Sequence, residues 1–391
     1  MQLRDIKFTL FAATDFGKNS PTSDAYTYAT ANFPAVGMQA PFAVLATTGG
    51  VTDGIFNAKF ASASCSLAKN LSTVDGMALA PQGVFYEFSS TLEMGAGNVK
   101  CKNFESAQKY WKDSGDPGNA SVAYYDYFAN TTINSVASSA LITFNAAFDP
   151  FSDSPKLRTF VNEVRATLAA SKDSFPASTQ LQVYNQLIQT VDAEHFTLQR
   201  FPSVIVVTLI IIFVLVALRF RAAIIPFKLA LTIVVPIFFI FGLAVTVYQK
   251  GTLNGVGWGA VESDGTGGIS WLLPCSTVFL LIGLALDYDI FLFSRVYELR
   301  KSGMSDRMAI NKAVEVSGPV ISAAGVIMAL AFAGMLANDD KFLNEFGFIA
   351  ILGVLLDTFV VRTILVPAIL SLGGWLNWWP AAMPKVEVED E

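Results

Sequence analysis

Gly283-Leu284-Ala285-Leu286-Asp287-Tyr288-Asp289-Ile290-Phe291-Leu292-Phe293-Ser294-Arg295 is the stretch whose reading decides the fold. No charge precedes it back to Gly265, and the run Ile269 to Leu286 has the length and composition of a lipid-buried helix. Two carboxylates and a phenol then arrive before the helix has left the membrane. Even on a lenient insertion scale a charge at that depth costs about 2.5–3.5 kcal/mol, so it belongs in a bundle interior with a task to perform. Asp287 and Asp289 are two apart, about 200° around a helix, and cannot both face one neighbour. Asp287 is read as the deeper, inward acid and Asp289 as lying near the cytoplasmic surface. Withdrawal from water penalises a charged carboxylate, so such a group can take up and release a proton, and Tyr288 can donate to it when it is ionised. The bland alternative is a carboxylate that fixes helix packing through hydrogen bonds.

Composition agrees with a membrane protein that also carries a water-facing part. Of 391 residues, 53% are hydrophobic and only 15% charged, and mean hydropathy is +0.47. That is too apolar for an ordinary soluble protein and too interrupted for a purely membrane-embedded one. A net charge of -6 argues against nucleic acid as a partner. The 32 Phe outnumber the 11 Tyr and 6 Trp, which suits lipid-facing or lipid-binding surface. Three Cys without a Cys-x-x-Cys pair, and one His, call for no metal ion or other cofactor. Met1-Gln-Leu-Arg4-Asp5-Ile-Lys7 carries charges too early for a secretory signal, and the run Phe8 to Ala13 is too short for a signal core.

Residues 1–200 hold no uncharged apolar run of membrane length and read as an extramembrane α+β domain. Pro41 to Thr47 suits a strand, Thr52 to Ala68 a helix and Thr73 to Ala80 a second strand. Residues 91–135 are rich in Gly, Asn, Ser and Lys, turn at Asp116-Pro117-Gly118, and read as an insertion. Ser139 to Phe148 is the next strand. Ser154 to Ala170 is a helix with Leu157, Phe160, Val161, Val164 and Leu168 at three/four spacing, and Thr179 to Tyr184 alternates as a strand. The order β-α-β, insertion, β-α-β suits a split βαβ sandwich. Gln186 to Arg200 reads as a polar helix carrying the one histidine, His195, as a surface residue.

Five spans follow, at about 202–218, 222–248, 269–293, 316–337 and 346–372. Arg219, Arg221 and Lys228 mark one basic loop, and Arg295, Arg300, Lys301, Arg307 and Lys312 a second. Both belong in the cytoplasm by the positive-inside rule. This puts residues 1–200 outside and the acidic tail 381–391 inside. The sequons at Asn70, Asn119 and Asn130 all fall in the outer domain and give weak support. Cys65 and Cys101 fall there too, as a disulfide or as free buried thiols.

In the fourth span Gly318, Ser322, Ala329 and Ala333, with Gly325 beside them, form a small-residue stripe that admits a neighbouring backbone, with the third span as a candidate neighbour. Asp357 lies near the middle of the fifth span, with Arg362 five residues on. That spacing is poor for a direct pair on an α-helix, so each is expected to reach another helix. They read either as part of one polar network with Asp287 and Tyr288, or as a charge-compensated packing pair. Trp375, Trp378 and Trp379 read as an interfacial anchor.

Residues 219–380 resemble the C-terminal half of the MMPL (mycobacterial membrane protein large) family of RND-superfamily transporters. The similarity rests on Arg221-Ala-Ala-Ile-Ile-Pro-Phe-Lys228, the opening stretch, Ser317-Gly-Pro-Val-Ile-Ser-Ala-Ala-Gly325, Gly353-Val-Leu-Leu-Asp-Thr-Phe-Val-Val-Arg362 and Asn377-Trp-Trp-Pro380. Residues 139–200 fit the family's porter domain more loosely. The resemblance implies a polytopic α-helical membrane protein, an RND-type bundle with an external α+β porter domain. It implies export of lipids or other hydrophobic molecules driven by proton influx, with Asp287 and Tyr288 carrying the protons. A whole member has two such halves, so the resemblance also implies that this chain is a piece of a longer protein, or a half-transporter that needs a partner half or a second copy. The runner-up is a Patched-like sterol- or lipid-binding protein that senses rather than pumps, since it shares the architecture. No nucleophile with a base, phosphate loop or metal set suggests an enzyme.

Overall fold

A computed structural model describes residues 6–10, 21–32, 41–52, 54–77, 86–87, 100–101, 132–151, 153–263, 267–373 and 379. In chain order the elements that matter are β1 (Phe8–Thr9), α1 (Pro21–Asn32), β2 (Phe42–Thr47), α2 (Ala58–Leu71), β3 (Tyr86–Glu87), β4 (Lys100–Cys101), β5 (Ser139–Phe144), α3 (Ser154–Ser171), β6 (Gln180–Tyr184) and α4 (Gln186–Phe220). They continue as α5 (Ile224–Ala244), β7 (Ile269–Ser270), α6 (Leu272–Lys301), α7 (Asp306–Ala333), α8 (Lys341–Leu356), a π-helical segment (Asp357–Leu365) and α9 (Val366–Gly373). The chain forms two compact units, one of residues 24–193 and one of residues 1–23 with 194–391.

The first unit is built on a three-stranded antiparallel sheet in the order β5-β2-β6. An isolated antiparallel bridge from Met77 to Ala146 extends the β5 side. Alternation in β2 turns Phe42, Val44 and Ala46 inward, as a half-buried strand requires. Phe42 stacks on Phe144 with centroids 5.6 Å apart and meets Phe160 of α3 edge-on. Asn57 caps α2 by accepting from the Lys59 N–H, and Asp153 caps α3 by accepting from the Lys156 N–H. The helix α2 therefore begins about a turn and a half after the expected start at Thr52, because Asn57 is the residue that satisfies the first free N–H. Cys65 is buried on α2 and disulfide-bonded, whereas Cys275 is free. The Cys101 side chain, most of the expected insertion, the second strand beyond Met77, and Asn119 and Asn130 lie outside the described residues. Asn70 is exposed in the last turn of α2, and His195 is exposed on α4.

Among the described residues, five helices are long and apolar enough to cross a membrane. They are Gln186–Phe220, Ile224–Gln249, Leu272–Lys301, Asp306–Ala337 and Lys341–Ser371. The expected polar helix and first span are one helix, since Pro202 sits inside α4 without ending it. The third, fourth and fifth spans each run several residues beyond their apolar runs, capped by polar groups outside the apolar stretch. Ser305 and Asp340 cap the fourth and fifth by accepting from the Met308 and Leu343 N–H groups. The turn between the third and fourth spans needs Gly303, whose φ is +95°.

The fifth span packs against the second, third and fourth. Two apolar clusters fill this bundle. One gathers Ile233, Ile240, Leu273, Leu281, Ala285 and Ile349, and the other Leu229, Leu292, Val296, Ala309, Val361 and Leu370. Asp289 on the third span and Asp357 on the fifth fall between the two sets, and Arg362 follows Val361 at the edge of the second. By contrast the first span leaves Val206, Val207, Ile210 and Ile211 exposed, as a lipid-facing helix does.

Candidate functional site

The third span buries Leu281, Ala285, Asp289, Leu292 and Val296, a stripe at three and four residue spacing. Asp289 is on that stripe and 0% exposed, whereas Asp287 is exposed on the far side of the same helix. This reverses the expected facing of the two acids. Depth along the helix axis does not fix which way a side chain points, and a step of two residues turns it by about 200°.

The fifth span brings the counter-charge. Arg362 is 2% exposed, and its Nε stands 3.9 Å from Asp289 Oδ1. Its Nη2 donates to Asp357 Oδ2 and, at 3.3 Å, to the Leu284 carbonyl of the third span. Its guanidinium carbon lies 4.0 Å from the centre of the Tyr288 ring, a cation–π contact inside the bundle. Tyr288 Oη points to Met328 Sδ of the fourth span at 3.9 Å. Neither carboxylate oxygen of Asp289 has a hydrogen-bond partner among the described residues.

The spacing of Asp357 and Arg362 is explained by the backbone. Residues 357–365 form a π-helix, which closes i→i+5 hydrogen bonds and so stacks residues five apart. The direct pair, judged unfavourable for an α-helix, forms because the helix is locally not α. Thr358 holds the segment in place: it is buried, and it fills the space a side chain at Gly325 of the fourth span would need. The neighbour at Gly325 is thus the fifth span rather than the third span expected there. Likewise Gly353 admits Leu281 of the third span. Beside the pair, Thr232, Tyr288, Met328, Asp357 and Thr358 help to line a cavity of about 20 Å³, roughly the room one water molecule needs.

Chemically, the site sets two carboxylates against one guanidinium, with side-chain exposures of 1% for Asp289, 15% for Asp357 and 2% for Arg362. Fully ionised it carries one surplus negative charge, which a single proton would cancel. Taking each ion out of water costs several kcal/mol, so a surplus charge here is a strong incentive to bind a proton. Sequence reading found Tyr288, Asp357 and Arg362, and misjudged Asp289. It missed Thr358 and the Leu284 carbonyl, for which no residue type gives a signal.

Comparison with known proteins places these residues in a family. The model for the MMPL family matches residues 143–388. The chain is 30% identical over 199 residues to the putative membrane protein SCO6666 of Streptomyces coelicolor, covering 51% of this chain and 28% of that one. It is 27% identical over 228 residues to the putative membrane protein YdgH of Bacillus subtilis, covering 58% and 24%. It is 29% identical over 204 residues to the mycolic acid-containing lipids exporter MmpL11 of Mycolicibacterium smegmatis, covering 48% and 21%. These matches span less than a third of the relatives' own length. The chain belongs to the MMPL family of membrane transport proteins.

Proposed function

We propose that this chain is one half of a transporter that exports lipids or other hydrophobic molecules in exchange for protons. The observation that carries the reading is the layer of buried Asp289 and Arg362 with the partly buried Asp357, whose acids outnumber its base inside the bundle. Asp289 is the proposed proton acceptor, with Arg362 and Tyr288 setting its surroundings. Protonation removes the attraction of Asp289 for Arg362 and frees the third span to shift against the fifth. That one relative is named as an exporter of mycolic acid-containing lipids supports the substrate class.

Asp287 keeps a place in this reading. An acid exposed in mid-span cannot rest against acyl chains. The proposal is that a partner half, or a second copy, covers it and brings it into the proton path. The α+β unit is proposed as a porter domain outside the membrane. The basic residues on either side of the turn at Gly303, and at Arg219 and Arg221, would then lie in the cytoplasm with the C-terminus. A disulfide at Cys65 suits the oxidising side, and Cys101 is its proposed partner. The test is movement of a fluorescent short-chain phospholipid in proteoliposomes with and without an imposed pH gradient. Dependence on the gradient supports a pump, and binding without it would instead support a Patched-like lipid sensor.

A further inference from the structure

The third and fifth spans are joined a second time, at the ends remote from the basic loops. Lys341 and Glu345 open the fifth span one turn apart, and are only 3% and 0% exposed. Lys341 Nζ stands 3.7 Å from Glu345 Oε1 and donates to the Gly268 carbonyl at 3.3 Å. Glu345 Oε2 accepts from the Ser270 N–H at 2.9 Å. Gly268 and Ser270 flank Ile269 of β7, and β7 pairs in parallel with β1. The Ile269 N–H donates to the Lys7 carbonyl at 3.0 Å and the Trp271 N–H to the Thr9 carbonyl at 3.2 Å. The two strands lie so close that a Cβ on Gly268 would stand 2.9 Å from the Lys7 carbonyl oxygen. The second span joins in through Tyr248, whose hydroxyl lies 3.1 Å from the Asn344 carbonyl and 2.9 Å from that of Ala260.

A buried ion pair adds little to stability over a well-packed apolar pair. What this one does add is register. It fixes the short β1–β7 ladder on the first turn of the fifth span. Asp357 begins twelve residues further along that helix, about 18 Å at the α-helical rise. Asp289 lies on the helix that β7 leads into. Both helices of the charged layer therefore end at one polar clamp, which grips β7 directly and reaches β1 only through the β1–β7 ladder.

We propose that Lys341 and Glu345 are positioning residues for transport, which hold the β1–β7 ladder to the fifth span so that a change of charge at Asp289 is felt at the ladder. This rests on the proton-linked reading of the charged layer. The test is a double-mutant cycle read by hydrogen exchange at the Ile269 and Trp271 amides of the full chain in lipid nanodiscs. Asp289→Asn imitates the neutral acid, and Glu345→Gln keeps an acceptor for the Ser270 N–H while removing the charge. Asp289→Asn alone is expected to change exchange by about fivefold, and the change should vanish to within about twofold in the Glu345→Gln background. A merely structural clamp gives shifts that multiply in the double variant. That outcome, or an Asp289→Asn protein with unchanged exchange, overturns the proposal. Lys341→Met supplies the same cycle should Glu345→Gln fail to insert. Lipid flux that ignores the pH gradient would remove the proposed function, and it leaves this cycle readable.

Discussion

Arg362 of the fifth span stands 3.9 Å from Asp289 of the third, and neither side chain reaches water. Because Arg362 also pairs with Asp357, one guanidinium serves two acids. The attraction between the two spans then depends on how many of the acids are charged. On the proposed reading, a proton bound to either acid would weaken the hold between two packed helices. A hydrogen-bonded packing pair with equal charges would not have this property.

Removing the shared base should be costly. Arg362→Leu leaves the buried Asp289 and the partly buried Asp357 without their shared base, and breaking a buried pair in this way typically destabilises by about 3–5 kcal/mol. Thermal unfolding in detergent should show a clearly lower midpoint, with partial recovery when Asp357→Leu is added. An Arg362→Leu protein as stable as wild type would mean that the acids are already neutral there.

The π-helical segment makes a separate prediction. Deleting Val360, which faces outward at 44% exposure, brings Asp357 and Arg362 to a spacing of four and removes the need for the wide turns. The pair should persist on an ordinary α-helix, with a stability change of about 1 kcal/mol or less. A structure of the deletion variant checks this. Loss of the ion pair would show that the wide turns do more than align the two side chains.

Gly325→Ala should drive a methyl group into Thr358. Overpacking a filled interface costs about 1–3 kcal/mol. Adding Thr358→Ala should recover most of the loss, because the same space is vacated. Equal unfolding midpoints for Gly325→Ala with and without Thr358→Ala would contradict the contact.

In the α+β unit, Tyr26 donates a 2.5 Å hydrogen bond to Asp149. Burial, and then the Asp149 bond and charge, push the Tyr26 hydroxyl above the usual phenol range. A raised folded value gives stability that is complete below the unfolded tyrosine value of about 10 and is lost as pH rises above it. Alkaline unfolding monitored by circular dichroism should therefore be less steep for Tyr26→Phe. An unchanged pH profile would remove Tyr26 from the account.

The membrane fold is legible because each span is a long apolar run, and the polar caps Ser305 and Asp340 explain why the helices outlast those runs. The facing of Asp289 is harder to read. The third span is apolar on every side, so its hydrophobic pattern does not say which stripe meets the bundle. The ladder Ala285, Asp289, Leu292, Val296 stands in the sequence, but so do others equally apolar. The pairing of Asp357 with Arg362 is hidden for another reason: periodicity assumes α-helical turns, and residue types do not announce a π-helix. Lys341 and Glu345 look like ordinary surface charges at a helix start until β7 is seen to cover them.

The central claim is that Asp289 takes up the proton that drives lipid movement. Its most direct test is phospholipid flux by the assembled transporter in proteoliposomes under an inward proton gradient, comparing wild type with Asp289→Asn. The account predicts that the variant inserts and folds, yet loses gradient-driven flux by about 100-fold or more, roughly what losing 3 kcal/mol of coupling would do. Flux at the wild-type rate, still dependent on the gradient, would contradict it.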